Sequence, residues 1–221
     1  MILRVPLQNR VTPFSELIAT DARGTLMGNR GIVHDEHRRI RRAFAGTRWI
    51  ICVLEFRNRH RVVMTPHRYT ELFFLDEATA LAAGHRPCAE CQRPRYLAFR
   101  EAWAAGRRDA ARAVPSAEEA VPSAEEMDAV LHTERVQPGG AKRTYRERVS
   151  GLPSGVMVAD EQSRAYLVLE GTRRPWTPHG YGPPQPIDDD ALRVLTPPSV
   201  VAAIRRGFRA ELHPSAQTAA G

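Results

Sequence analysis

The 221-residue chain is short of cysteine (three), of lysine (one) and of aromatic residues (7%), and it has no long unbroken apolar run. Each shortage excludes something. No stretch approaches the roughly 18–20 apolar residues of a membrane span, so an integral membrane protein is not expected. Three thiols are too few, and of the wrong parity, for a disulfide scaffold, which points to a reducing cytoplasm where they stay free to bind metal. The opening MILRVPLQNR lacks the apolar core of a secretory signal. Lys142 stands alone against 31 arginines, a skew that reads as coding bias alongside the many alanines. Arginine content by itself therefore says little about partners.

The placement of charge says more. Residues 1–105 hold 17 arginines against 10 acidic residues, whereas residues 106–221 hold 15 basic and 15 acidic ones, so the whole net charge of +7 lies in the first half. A basic half beside a neutral half suggests a polyanion partner such as nucleic acid; a solvated charged face is the plain alternative.

Patterning predicts an α+β protein: a small zinc-stabilised sheet-and-helix domain over 1–105, followed by a second small α+β part over 127–213. Residues 1–47 read as polar and basic, with one apolar patch at Phe14–Ile18. Strand-like runs follow at Arg48–Phe56, His60–Thr65 and Tyr69–Phe74. Asp76 and Gly84 bracket a short helix, and Pro94–Trp103 reads as a second one, with Leu97, Phe99 and Trp103 packing. AVPSAEE occurs twice in tandem within 106–126, each copy carrying a Ser-x-x-Glu capping box, so this stretch reads as a duplicated linker leading into a helix from Ser123 to about Arg135. Then come a loop over 136–150, a hairpin from Gly155–Asp160 and Arg164–Glu170, Pro- and Gly-rich irregular chain, a strand at Leu192–Leu195, a helix capped by Ser199 and ended at Gly207, and a disordered tail over 214–221.

The strongest local feature is Cys88-Ala-Glu-Cys91, two thiols at a turn before a helix, the spacing of a zinc half-site. A redox pair would follow a thioredoxin-like strand, and here a helix and a Gly-His-Arg-Pro turn precede it. A closed zinc site needs two more ligands. Cys52 is the remaining thiol, either a ligand or a buried inert side chain. A histidine would complete the set, His34 first and His60 second.

The segment FFLDEATALAAGHRPCAEC, Phe73 to Cys91, resembles the end of the N-terminal zinc domain of the Ada DNA-repair family, over Trp49–Trp103 at most. That resemblance implies a zinc-pinned domain on the DNA phosphate backbone, with Cys88 and Cys91 as metal ligands and Cys52 with them. The family's Cys-x-x-x-Cys before the Phe-Phe pair is missing, so its methyl-acceptor role transfers to no position. Arg48, Arg86, Arg93 and Arg95 flank the site and Tyr69 is placed to stack or bond a phosphate, which makes these the expected nucleic-acid contacts.

An alternative is a zinc-dependent hydrolase or deaminase-like enzyme using a metal-activated water, since His34-Asp35-Glu36 with Pro87-Cys88-Ala89-Glu90-Cys91 echoes the deaminase signature. A third places function on the loop grouping Arg173, Arg174, Trp176, His179 and Tyr181, against the simpler reading of a proline-ordered loop with Trp176 covering a sheet.

Overall fold

The computed structural model describes residues 5–58, 62–111, 121–187 and 191–217. Six short strands, β1 (Gln8–Val11), β2 (Leu17–Ala19), β3 (Leu26–Asn29), β4 (Ile50–Cys52), β5 (Leu72–Phe74) and β6 (Arg86–Pro87), form a mixed sheet in the order β2-β1-β5-β3-β4-β6. The β1–β5 and β4–β6 pairs run parallel, the others antiparallel. β4 is interior, as expected of a run apolar on both faces, Trp49, Ile51 and Val53 against Ile50, Cys52, Leu54 and Phe56. A parallel neighbour requires a long crossover. Here it runs out through β5 and a helix and returns as β6, setting Pro87 against Ile51 so that the Cys88 N–H donates to the Ile51 carbonyl at 2.9 Å.

Strands β1 and β3 lie where the sequence predicts polar chain, β2 overlaps the apolar patch at Phe14–Ile18, and residues 62–65 form no strand. β1 and β3 are four residues long and between them carry Gln, Asn and Arg. Their neighbours in the sheet hold them, not their own propensity.

Helix α1 (Glu77–Ala82) is capped by Asp76, whose carboxylate accepts from the Thr79 N–H at 2.9 Å. It stops at Gly84, in the left-handed region at φ +91. Helix α2 (Arg93–Ala111) runs on past the expected end at Trp103, and α3 (Ala124–Arg135) starts at Ser123 with its capping box to Glu126 formed. The other copy of that box, Ser116 with Glu119, lies outside the described residues. Helix α4 (Pro198–Arg205) crosses α2 so closely at Gly106 that a Cβ there would lie 2.8 Å from Ala202. On α2 the buried face is Tyr96, Phe99 and Trp103, at helical spacing; Leu97, one position off that stripe, is 38% exposed rather than packed.

The second sheet is antiparallel. It holds β7 (Tyr145–Arg148), β8 (Met157–Ala159), β9 (Ala165–Leu169), β10 (Thr172–Thr177), β11 (Gly180–Tyr181), β12 (Gln185–Pro186) and β13 (Ala191–Val194), in the order β11-β10-β9-β8-β13-β7 with β12 on β10. The β8–β9 hairpin and β13 match expectation. β7 and β10 to β12 replace predicted loop, because prolines and glycines hid short strands that their neighbours pair. Ser199 does not cap α4. Pro197 holds that position, and the Ser199 N–H and hydroxyl both donate to Glu134 of α3, at 3.1 and 2.6 Å. Nor is the chain disordered from 214: residues 214–216 make a 3-10 turn with Ala216 buried, and the Ser215 hydroxyl accepts from the Tyr181 N–H at 2.8 Å.

The largest apolar cluster draws on both halves, joining Ile51, Phe74 and Phe99 to Leu131, Val158 and Ile204. Among the described residues no helix is long and apolar enough to cross a membrane.

Candidate metal centre

Strand alternation places the site. On β3, β4 and β5 one face, Leu26, Ile51, Leu72 and Phe74, goes into the core. The opposite face carries Met27, Ile50, Cys52 and Phe73, aligned by the pairings Met27 with Cys52 and Met27 with Phe73. The parallel β4–β6 pair then lays the Cys88–Cys91 turn beside the end of β4. The sulfurs of Cys52, Cys88 and Cys91 all lie within 4.8 Å of one another.

That spacing fits a metal. Zinc–sulfur bonds of about 2.3 Å in a tetrahedron put sulfurs about 3.8 Å apart. Backbone N–H groups already serve the sulfurs: Glu90 N donates to Cys88 Sγ at 3.4 Å, with Cys91 N–H beside it, and Val53 N–H serves Cys91. Hydrogen bonds from Cys52 and then Cys91 hold the Cys88 thiol far below its ordinary range. Those same bonds, to Cys88 first, and burial push the Cys52 thiol up. For Cys91 the bond with Cys52 lowers, but Cys88 and burial outweigh it and the thiol goes up. Without a cation, then, the geometry favours one thiolate held by two thiols. A divalent ion removes that competition and lets all three ionise.

All three cysteines line a cavity of about 270 Å³ on the outer face of the sheet, together with Met27, Ile50, Phe73 and Tyr69. Glu71 shares it. It sits two residues before Phe73 on the same face and is only 4% exposed. Its Oε2 accepts from the Met64 N–H at 2.8 Å, while Oε1 has no hydrogen-bond partner among the described residues. An unbonded carboxylate oxygen inside a protein is costly and marks a candidate functional group. The sequence reading missed Glu71; its signal was a lone acid opening the apolar run Glu71–Leu75.

His34 does not join the sulfurs. It is buried, with Nδ1 2.5 Å from the Thr70 hydroxyl and Nε2 3.2 Å from the Thr65 carbonyl, so both ring nitrogens are engaged in fixing the 65–70 segment. His60 lies outside the described residues. Nor do Asp35 and Glu36 approach the cysteines: Asp35 closes its own turn, accepting from the His37 and Arg39 N–H groups at 2.9 Å, and Glu36 faces His67 at the surface. The deaminase-type pairing of His34 and Glu36 with Cys88 and Cys91 is therefore not formed.

The expected phosphate contacts divide. Arg86 is 2% exposed, its guanidinium bound in two places to Asp128, Nε to Oδ1 at 2.9 Å and Nη2 to Oδ2 at 2.6 Å. Its place in a strand paired with β4 buries it, which removes it from any surface. Arg95 is half-buried, paired with Glu77 and donating to the Arg209 carbonyl at 2.7 Å. Arg48 and Arg93 are exposed, and Tyr69 is half-buried against the cavity. In the second half, Trp176 Nε1 donates to the Thr79 hydroxyl at 3.1 Å and the Tyr181 hydroxyl to Asp76 at 2.9 Å, so that hairpin fastens the start of α1.

Compared with protein-family models, curated proteins and solved structures, the chain matches none.

Proposed function

We propose that Cys52, Cys88 and Cys91 hold a zinc ion whose fourth position opens on the 270 Å³ cavity, and that the protein carries out hydrolytic chemistry on a small substrate there. One observation carries this reading: the three cysteines line the same cavity as Glu71, a buried acid with one unbonded carboxylate oxygen. Catalytic zinc sites keep three protein ligands and one exchangeable position. When bound, the ion supplies Lewis acidity at that position. Glu71 is the group placed to take or return a proton at Oε1. Met27, Ile50 and Phe73 select an apolar substrate body and exclude water.

Cobalt(II) loaded in place of zinc tests the reading. Strong thiolate-to-cobalt absorption followed by a shift of the visible bands on adding azide is the expected result. Bands that azide leaves unmoved contradict an open position.

The Ada-like reading, a DNA-backbone contact, ranks second. Its support is the exposure of Arg48 and Arg93 on the basic half, weighed against the internal pairing of Arg86 and Arg95. It requires DNA affinity that falls log-linearly with salt, by about 0.9 per phosphate contacted.

A further inference from the structure

A second and larger cavity, of about 930 Å³, lies across the sheet from the first. Consecutive residues face the two: Asn29 and Ile50 line the thiol cavity, their neighbours Arg30 and Trp49 the larger one. We propose that this chamber, lined by Arg30, Arg135 and Lys142, binds a small organic phosphate of nucleotide size.

The charge is the first argument. Arg30 and Arg135 are each 1% exposed. Arg30 donates from Nε to His85 at 3.1 Å and from Nη1 to the Ser15 carbonyl at 2.9 Å; its Nη2 has no partner among the described residues. Arg135 donates to the carbonyls of Gly84 and Thr47, and its Nε is likewise unpartnered. Both guanidinium carbons stand over the Trp49 ring, at 4.2 and 4.1 Å. The Lys142 ammonium donates to the Ala82 carbonyl at 2.6 Å, and the residue, half-buried as a whole, lines the chamber.

Neutral carbonyls and a tryptophan face are what these cations have in place of counter-ions. Asp128 acts on Arg135 but is already bound in two places by Arg86, and Glu16 is the single carboxylate in the described lining. Arg164 and Arg193 also border the chamber; Arg164 pairs with the Asp160 carboxylate, and Arg193 donates to the Asp160 carbonyl and the Ser163 hydroxyl. Burying three cations together costs several kcal/mol each unless an anion compensates. Burial depresses both arginines to about 9, helped at Arg30 by the charge of Arg135 and at Arg135 by that of Arg86 against the opposing pull of Asp128, and burial with Arg30 and Arg135 depresses Lys142 to about 7. Gly84 shows the arrangement is built in, for a Cβ there would lie 2.6 Å from Arg135 Cδ.

The shape is the second argument. Ligand sites run to about 300–1,000 Å³, so this volume exceeds what a bare anion fills. Phe14 and Trp176 border it as aromatic walls and Gln8 and Gln137 as amide groups, the surroundings a base or sugar needs. Guanidinium forks and an ammonium suit a phosphate group.

Calorimetric titration of the full chain with AMP, with inorganic phosphate and with a short single-stranded oligonucleotide tests this. AMP is expected to bind one per chain and more tightly than inorganic phosphate. Arg30→Gln and Lys142→Gln should each weaken it by roughly tenfold or more. Lys142→Gln, at the half-buried edge, serves if Arg30→Gln fails to fold, and circular dichroism checks both. No binding of AMP, affinity no better than for phosphate, binding of the oligonucleotide alone, or unchanged affinity in a folded variant would overturn the assignment. Since none of these titrations touches the sulfurs, they stand or fall separately from the zinc reading.

Discussion

The two cavities back onto the same pair of strands and are opposites. One gathers three sulfurs, a single thiolate held by two thiols until a cation lets all three ionise, with a buried carboxylate beside them; the other gathers three cations. Each concentrates charge of one sign without enough internal compensation. Unpaired charge inside a protein is tolerated where a ligand supplies the missing sign. The lesson is that polarity alternates across this sheet residue by residue: one strand step separates a thiol-side residue from a chamber-side residue.

The largest expected effect breaks the first cavity. Cys88→Ser or Cys91→Ser should abolish bound metal and cost upwards of about 4 kcal/mol, because folding and thiolate–metal binding are coupled. Cys52→Ser should also lose the metal rather than only a core contact. Elemental analysis with urea unfolding measures both; a variant with an unchanged midpoint would separate the sulfurs from stability.

Next comes the buried Arg86–Asp128 pair, both members of which act on Arg135. Asp128→Ala leaves Arg86 buried and alone, at a cost of about 3–5 kcal/mol. Replacing both residues with apolar ones should recover part of that loss by the same unfolding measurement. Smaller is Gly84→Ala, which forces a side chain into the left-handed region and against Arg135. About 2 kcal/mol is expected, together with weaker AMP binding; intact AMP affinity would show that the chamber does not depend on where Arg135 sits.

The last effect is a slope rather than a single midpoint shift. Lys142 falls from 10.5 to about 7 on folding. Between those values the unfolded chain holds a proton that the folded chain lacks, so this group's contribution to stability rises with pH across that window and is flat outside it. Lys142→Met should remove that slope from the pH dependence of the urea midpoint. An identical pH profile in the variant would mean the ammonium is not desolvated.

How much of this the sequence disclosed follows the same division. The α+β class, the Asp76 and Ser123 caps, the Gly84 stop and the β8–β9 hairpin were legible because each is set by residues a few positions apart. So were Cys88 and Cys91, and Cys52 by elimination among three thiols. His34 was misread because a histidine beside acids resembles a ligand until its ring is found bonded to Thr70 and Thr65. Arg86 was misread because strand pairing, not composition, decides that an arginine goes inside. Glu71 and the Arg30–Arg135–Lys142 chamber were not legible at all: long crossovers bring their members together, and no local spacing marks them.

The most direct test of the central claim is zinc-edge X-ray absorption on protein purified without added metal. One zinc per chain is expected, with three sulfur neighbours at about 2.3 Å and a single oxygen. Protein that retains no metal, fewer than three sulfurs, or the scattering signature of an imidazole in the fourth position would contradict it.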